Sequence, residues 1–232
     1  MTDQCTEARL LIIAYLKRFV ARYGHRLVQA DGTLSDLFVS IVEAANLLGP
    51  RQSPPPRLAE ASGWPSIEES EQEVRDCVAR VRSLSPEAPA QQLRHRCALD
   101  ERAFHLLLCA AAPLQSVDLA RLYTFVLADF SAKLPTIGLL AEMVADDPGE
   151  VAALSRYFRD DGPLRRHQLV ELADAPGWGP QTPLLHRRVV LPERILEFLS
   201  GESEPRPGQL GRACQVEAVT RGPRPEAIVI SP

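Results

Sequence analysis

Lysine is scarce in this sequence of 232 residues, with only Lys17 and Lys133. The phosphate-binding loop of many nucleotide hydrolases needs a lysine directly after a glycine, and neither lysine follows one. The chain therefore lacks the Gly-x-x-x-x-Gly-Lys-Ser/Thr motif, and we do not expect it to hydrolyse ATP. We predict that it is not an enzyme, and no motif in it predicts a cofactor.

The sequence also has few cysteines and no long apolar segment. The cysteines are odd in number and irregularly spaced, which argues against a disulfide framework and favours reduced thiols in a cytoplasmic protein. The N-terminus has no basic stretch typical of a signal peptide, and the longest apolar run, 10–15, is too short for a membrane span. We therefore expect no membrane contact. The cysteines are Cys5, Cys77, Cys97, Cys109 and Cys214.

Net charge limits the class of partner. The formal charge is −4 and the isoelectric point is near 5.8. Dedicated nucleic-acid binders are usually basic over their binding domain, so this balance weakly disfavours that class. Hydrophobic residues make up 45% and charged residues 24%, which is typical of a soluble globular protein.

The first 48 residues predict an N-terminal helical hairpin. Apolar residues repeat at helical spacing over 6–23, with Thr6 as the expected N-cap and Gly24 as the expected end. A second helix is predicted over 34–48. The apolar face of the first helix is wide, which indicates packing on more than one neighbour. Basic side chains lie away from this face in the predicted helix: Arg9, Lys17, Arg18 and Arg22.

A proline-rich linker, 49–66, and a helical segment, 67–98, are predicted next. The linker contains three consecutive prolines, which suit an extended spacer. Ser66 is the expected N-cap of the following helix. Acidic residues in the first turn and arginines in the last turns of that helix suit its dipole.

Residues 99–201 have the outline of a winged-helix domain, and the whole chain is predicted to be mainly α. Asp100 should cap a central buried helix that Pro113 ends. Two more helices follow, and the sequence Asp-Pro-Gly-Glu at 147–150 then predicts the start of a fourth that runs to about Arg159.

A two-stranded β-hairpin and a closing helix complete the predicted domain. The predicted strands are 164–172 and 184–191, and the loop between them is rich in proline and glycine. The closing helix is predicted to start after Pro192 and to end at Gly201. The expected fold is thus a helical N-terminal region followed by a winged helix with one β-hairpin.

Basic residues cluster on the predicted hairpin and are the candidate binding site. Antiparallel pairing of the two strands could bring them onto one exposed surface. Such a surface could contact nucleic-acid phosphates, could bind an acidic protein, or could be a solvated and partly ion-paired strand surface. We favour a protein over nucleic acid because the chain is acidic. The candidates are Arg165, Arg166, His167, His186, Arg187 and Arg188.

Four residues resemble a metal site at first sight. His95, Cys97, His105 and Cys109 lie within fifteen positions of one another, but their spacing matches no standard zinc pattern. A nucleophilic pair of Cys109 and His105 would lack a predictable orienting acid and oxyanion hole. We therefore predict no metal site and no catalytic residues.

Residues 97–201 resemble the region that precedes the ATPase core in bacterial AAA+ ATPases encoded with contractile injection systems. Four segments in the same order carry the resemblance: 99–110, 134–140, 161–172 and 191–201. The resemblance implies a non-catalytic interaction or substrate-recognition region whose partner is a protein or the ATPase core. It also implies that the core could bring copies together as an oligomer. A DNA-binding winged-helix regulator is the alternative.

The last 31 residues fit this expectation. Residues 202–225 are polar and punctuated by proline and glycine, as in a linker, and a short β-branched run follows at 227–230. In the ATPase family a nucleotide-binding strand follows the winged helix. We therefore expect 202–232 to be a linker and the start of a truncated strand that leads to an ATPase core.

Overall fold

The computed structural model describes residues 2–28, 66–127 and 134–201, and these are mainly helical with one two-stranded antiparallel sheet. The predicted fold class is therefore confirmed. The α-helices are α1 (Thr2–Val28), α2 (Ile67–Arg82), α3 (Pro89–Arg96), α4 (Glu101–Gln115), α5 (Val117–Leu127), α6 (Ile137–Val144), α7 (Val151–Ser155), α8 (Pro163–Arg166) and α9 (Glu193–Ser200). The strands are β1 (Glu171–Ala173) and β2 (Arg188–Val190). Short 3₁₀ helices cover Pro148–Glu150, Arg156–Phe158, Gly179–Gln181 and Leu184–His186.

Helix α1 is longer than its sequence predicts. It begins before Thr6 and continues through Gly24, so Thr6 does not start the helix and Gly24 does not end it. A glycine inside a helix costs only about 1 kcal/mol, which packing can outweigh. The wide apolar face of α1 contacts α2, α4 and α6, as predicted. The predicted second helix and most of the proline-rich linker lie outside the described residues.

Helix α2 begins at the N-cap residue that its sequence predicts, Ser66. The Ser66 hydroxyl accepts a hydrogen bond from the Glu69 amide at 3.1 Å, and the Glu69 carboxylate accepts one from the Ser66 amide at 2.9 Å. This capping box satisfies two amide groups that the first turn leaves without helical partners. The predicted N-cap is confirmed, and Val74, Cys77 and Val81 of α2 are buried.

Helix α4 lies at the centre of the core, but Pro113 does not end it. Asp100 caps it as predicted, accepting from the Ala103 amide at 2.8 Å. Pro113 lies inside the helix, which continues to Gln115. A proline cannot donate to the carbonyl four residues earlier. The Tyr123 hydroxyl of α5 donates to that carbonyl, of Cys109, at 2.7 Å, and this bond compensates for the missing amide.

The predicted strand 164–172 is wrong over most of its length, since only its last two residues belong to a strand. Gly162 and Pro163 start the short helix α8, because proline at the first helical position has its backbone angle preset. Gln168 then adopts a left-handed φ of 53°, and β1 begins only at Glu171.

The predicted strand 184–191 is shorter as well. A 3₁₀ turn covers Leu184–His186, and β2 begins at Arg188. The two strands pair with Leu172 opposite Val189. On its other side β2 meets Thr136, just before α6, through an isolated antiparallel bridge with Arg188.

One cluster of buried apolar side chains joins the N-terminal helix to the closing helix. It includes Tyr15 of α1, Phe104 of α4, Ile137 of α6 and Phe198 of α9. Gly201 ends α9 with a left-handed φ of 74°, as its position in the sequence predicts. The predicted domain boundaries stay a prediction.

No single helix in the described ranges has the length and apolarity needed to cross a membrane. Helices α4 and α5 have the required length and apolarity only when they are counted as one segment, and the chain bends by 111° between them. Most of α4 is buried in the protein core.

Candidate functional site

The six candidate residues lie around the hairpin, but not on two facing strands. Arg165 and Arg166 are on α8, and His167 ends that helix. His186 is the last residue of a 3₁₀ turn, and Arg188 alone of the six is on a strand. The antiparallel pairing that was expected to join the two groups therefore does not involve α8, because β1 starts five residues beyond Arg166.

Carboxylates of the same region pair with two of these arginines. Arg165 lies 2.5 Å from the Asp160 carboxylate. The Arg187 guanidinium lies 3.8 Å from Asp174, and its Nε donates to the Thr182 carbonyl at 3.3 Å. These contacts match the partly ion-paired surface that was one of the alternatives. They reduce the positive charge that the cluster can offer to phosphate groups.

The remaining candidate side chains differ in how far they are exposed. Arg166 is exposed and its guanidinium lies 3.4 Å from the ring of His167, which is buried. Arg188 is half-buried on β2. The candidate residues thus surround the base of the hairpin, and they do not form one continuous basic strand surface.

The wing loop, residues 174–187 between β1 and β2, presents an exposed tryptophan. Trp178 is 54% exposed and its ring stacks on His186, with 5.3 Å between ring centroids and 12° between planes. Gly177 and Gly179 on either side have left-handed φ values of 83° and 59°. Glycine adopts this conformation without strain, so these two residues allow the bend that carries Trp178 outward.

Thr182 fixes the wing loop from inside. It is 4% exposed, its hydroxyl accepts from the Ala175 amide at 3.3 Å, and it donates to the Gly179 carbonyl at 2.7 Å. The root of the loop packs on α6, where a Cβ on Gly138 would lie 3.0 Å from the Leu185 carbonyl oxygen. Sequence reasoning treated this loop only as a connection. The available signals were a tryptophan between two glycines and the lack of charged residues over 175–185.

The segment at the position of a recognition helix is short and broken. It runs over 148–158 as a 3₁₀ turn, helix α7 and a second 3₁₀ turn. Asp147 caps its start by accepting from the Gly149 amide at 2.7 Å. Its exposed residues include Ala152, Ala153 and Arg156. Arg159, which directly follows the segment, is exposed as well. Two small apolar residues and two arginines give this surface limited capacity to bind phosphates or base edges.

Arginines from α1 and α4 cap the C-terminal end of α6, which the sequence did not predict. The last carbonyl groups of a helix lack partners within the helix, and cations suit its negative end. Arg18 is 3% exposed, so its predicted place away from the packed face of α1 is wrong. The bonds run from Arg18 to the Met143 carbonyl at 2.8 Å, from Arg22 to Ala145 at 2.8 Å and from Arg102 to Val144 at 2.9 Å.

Asp146 neutralises part of this arginine cluster. Its carboxylate lies 3.0 Å from Arg18 and also contacts Arg102. Burial raises the pKa of Asp146, but the hydrogen bonds and charges of Arg102 and Arg18 outweigh this and lower it. Burial lowers the pKa of Arg18. The cluster therefore holds the turn that leads into 148–158, and its role is structural.

A cleft of about 720 Å³ lies between α2 and α4, with α1 contributing residues to its lining. Several of its charged side chains pair with each other, and Arg75 contacts Gln72. Arg82 binds Glu101 at 2.6 Å, and Arg22 binds Glu71 at 3.0 Å. In the described part of the chain these pairs leave little charge for a ligand.

The histidine and cysteine residues considered as metal ligands do not come together. His105 is buried, with Nδ1 at 2.8 Å from the Tyr15 hydroxyl, and burial lowers its pKa to about 4. Cys109 is fully buried, which raises the pKa of its thiol to about 12. Cys97 is buried and His95 is exposed. Among the described residues, no group of three or more potential metal ligands is found.

Comparison with known families places most of the described residues in a winged-helix family. A family model described as "Winged helix domain, variant" matches residues 41–207, which is well over half of the chain. Searches of curated proteins and of solved structures gave no significant match.

Proposed function

Because the chain belongs to the family of variant winged helix domains, we propose that it is a non-catalytic recognition module that binds a protein. In the specific form of this proposal, it is the region in front of an AAA+ ATPase core of a bacterial contractile injection system. There it would position the ATPase ring on a protein substrate. The ATPase core, and not this chain, would supply nucleotide hydrolysis and oligomer formation.

The charge distribution around the hairpin carries the proposal. Phosphate binding needs surplus positive charge, since most of its free energy comes from replacing the counterions of the nucleic acid. Here Arg165 and Arg187 already face Asp160 and Asp174. The recognition segment 148–158 exposes alanines where a DNA-binding helix would present polar and basic groups to base edges. These features favour a protein partner over duplex DNA.

The ATPase part of the proposal has separate support. It depends on the resemblance of residues 97–201 to the region in front of an AAA+ ATPase core. Membership of the winged helix family is compatible with this role and equally with a DNA-binding regulator. The coding sequence beyond Pro232 tests it directly. A glycine-rich loop that ends in Gly-Lys-Ser/Thr is the expected result, and a stop codon would refute this part.

Duplex DNA binding tests the choice between protein and nucleic acid. Fluorescence anisotropy with random-sequence duplex DNA at low salt should show only weak binding. The double variant Arg165→Ala/Arg187→Ala should change it no more than Arg75→Ala, a control on α2 whose arginine contacts Gln72. Tight, salt-dependent binding that only the double variant abolishes would instead identify a DNA-binding regulator.

A further inference from the structure

We propose that Trp178, at the tip of the wing loop, anchors the protein partner by entering an apolar pocket on its surface. This inference rests on the proposed protein-recognition function. It adds the docking element and the chemistry of the surface that it fits. Tryptophan is among the residues that most often dominate the free energy of protein association.

The tip of the wing loop is uncharged. Residues 175–185 contain no Asp, Glu, Lys, Arg or His, although charged residues make up 24% of the whole chain. Within this stretch Trp178 is 54% exposed, and Leu185, at the root of the loop, is 40% exposed. Aromatic residues are enriched and charged residues depleted at the centre of protein interfaces, and the tip of this loop has the same composition.

The wing loop is pre-organised to present the indole ring. The stack of Trp178 on His186 and the two hydrogen bonds of Thr182 stabilise the conformation that presents the indole. A side chain that is fixed before binding loses less conformational entropy when the complex forms. This arrangement suits an anchor residue better than a flexible linker.

The two ends of the wing loop would contact the edge of the partner's binding pocket. Asp174 and Arg187 stand at the two ends of the loop and lie 3.8 Å apart, so their charges largely offset each other. A protein surface with an apolar pocket and few charges at its edge would complement both parts. Nucleic acid fits less well, because stacking of bases on an aromatic residue is normally combined with a basic groove along the backbone.

The test uses the full chain and a displayed library of a small helical scaffold with randomised surface residues. Binders are selected against the wild-type protein, and their dissociation constants are measured for Trp178→Ala and for Val117→Ala. Val117 on α5 is an apolar control with 78% exposure. Trp178→Ala should weaken most binders by about 30-fold or more, and Val117→Ala by no more than a few-fold. The selected surfaces should be rich in apolar residues and poor in charged ones.

Thr182 provides a second variant that leaves the indole in place. Thr182→Val removes both loop hydrogen bonds and should weaken the same binders by a smaller factor, and Thr182→Ser should restore the affinity. Circular dichroism and the thermal midpoint establish that each variant is folded. Rescue by serine separates positioning of Trp178 from general loss of structure.

The outcomes separate the two proposals. If Trp178→Ala leaves the dissociation constants unchanged, or if the selection yields no binders, the anchor role is refuted. The proposed protein-recognition function would not be affected by either result. Tight duplex DNA binding in the anisotropy assay would overturn the recognition function itself. Selected surfaces rich in charged residues would contradict the apolar surface that we assign to the partner.

Discussion

Changing Tyr123 to phenylalanine should destabilise the protein, because it removes the hydrogen-bond donor to the helix carbonyl that Pro113 leaves without an amide partner. Pro113 has no amide hydrogen, so it cannot donate to the Cys109 carbonyl within α4. The Tyr123 hydroxyl lies 2.7 Å from that oxygen, and both residues are fully buried. Burial also raises the pKa of Tyr123 well above its usual value, so the hydroxyl keeps its proton at working pH.

The expected cost follows from leaving a buried acceptor without its donor. Such a loss is worth about 1–3 kcal/mol of unfolding free energy. In a Pro113→Ala background the new alanine amide can donate to the Cys109 carbonyl. Removal of the tyrosine hydroxyl should then cost clearly less, and the difference between the two backgrounds is the coupling free energy.

A double-mutant cycle measured by urea unfolding gives this coupling. Tyr157→Phe is a matched control, since its hydroxyl donates to the Asp100 carboxylate at 2.7 Å and not to a helix carbonyl. Its cost should be the same with Pro113 and with alanine. If the Tyr123→Phe cost is also the same in both backgrounds, within about 0.5 kcal/mol, the hydroxyl does not compensate for the proline.

Two further predictions concern packing and pH. Gly162→Ala should cost about 1–3 kcal/mol or more in urea unfolding, because its Cβ would lie 2.5 Å from the backbone oxygens of Arg156 and Tyr157. Gly149→Ala should cost less, since its Cβ would meet only a side chain, and equal costs would refute the argument. Burial lowers the pKa of His105 to about 4, so the folded state binds fewer protons than the unfolded state between pH 4 and 6.5. Stability should therefore fall by about 3 kcal/mol as pH drops through this range. His105→Gln should remove that loss in thermal unfolding, and an unchanged pH profile would contradict it.

Predictions based on local rules agreed best with the structure. Ser66, Asp100 and Gly201 occupy the cap positions that their neighbours indicate, because capping depends on hydrogen bonds within one turn of the chain. The mainly helical composition and the β-hairpin of the described residues follow from the same local patterns. Thr6 and Gly24 show the limit, since packing of α1 continues the helix past both.

The candidate binding site could be placed only approximately. The sequence located the basic residues near a hairpin, but it assigned Arg165 and Arg166 to a strand that is a helical turn. Whether their charges are available depended on Asp160 and Asp174, whose distances the pattern does not encode. The exposure of Trp178 likewise depends on how the wing loop folds over Thr182.

By itself, the sequence determined the helical class, most helix starts and the lack of a phosphate-binding loop, because each depends on neighbouring residues. Tertiary structure alone decided which side chains meet across the fold. Arg18 and Met143 are 125 positions apart, yet a hydrogen bond joins them because α1 packs against α6. The Tyr123 hydroxyl can donate to the Cys109 carbonyl only because α5 folds back on α4. Such contacts arise from burial of the common core, which no periodicity within one helix specifies.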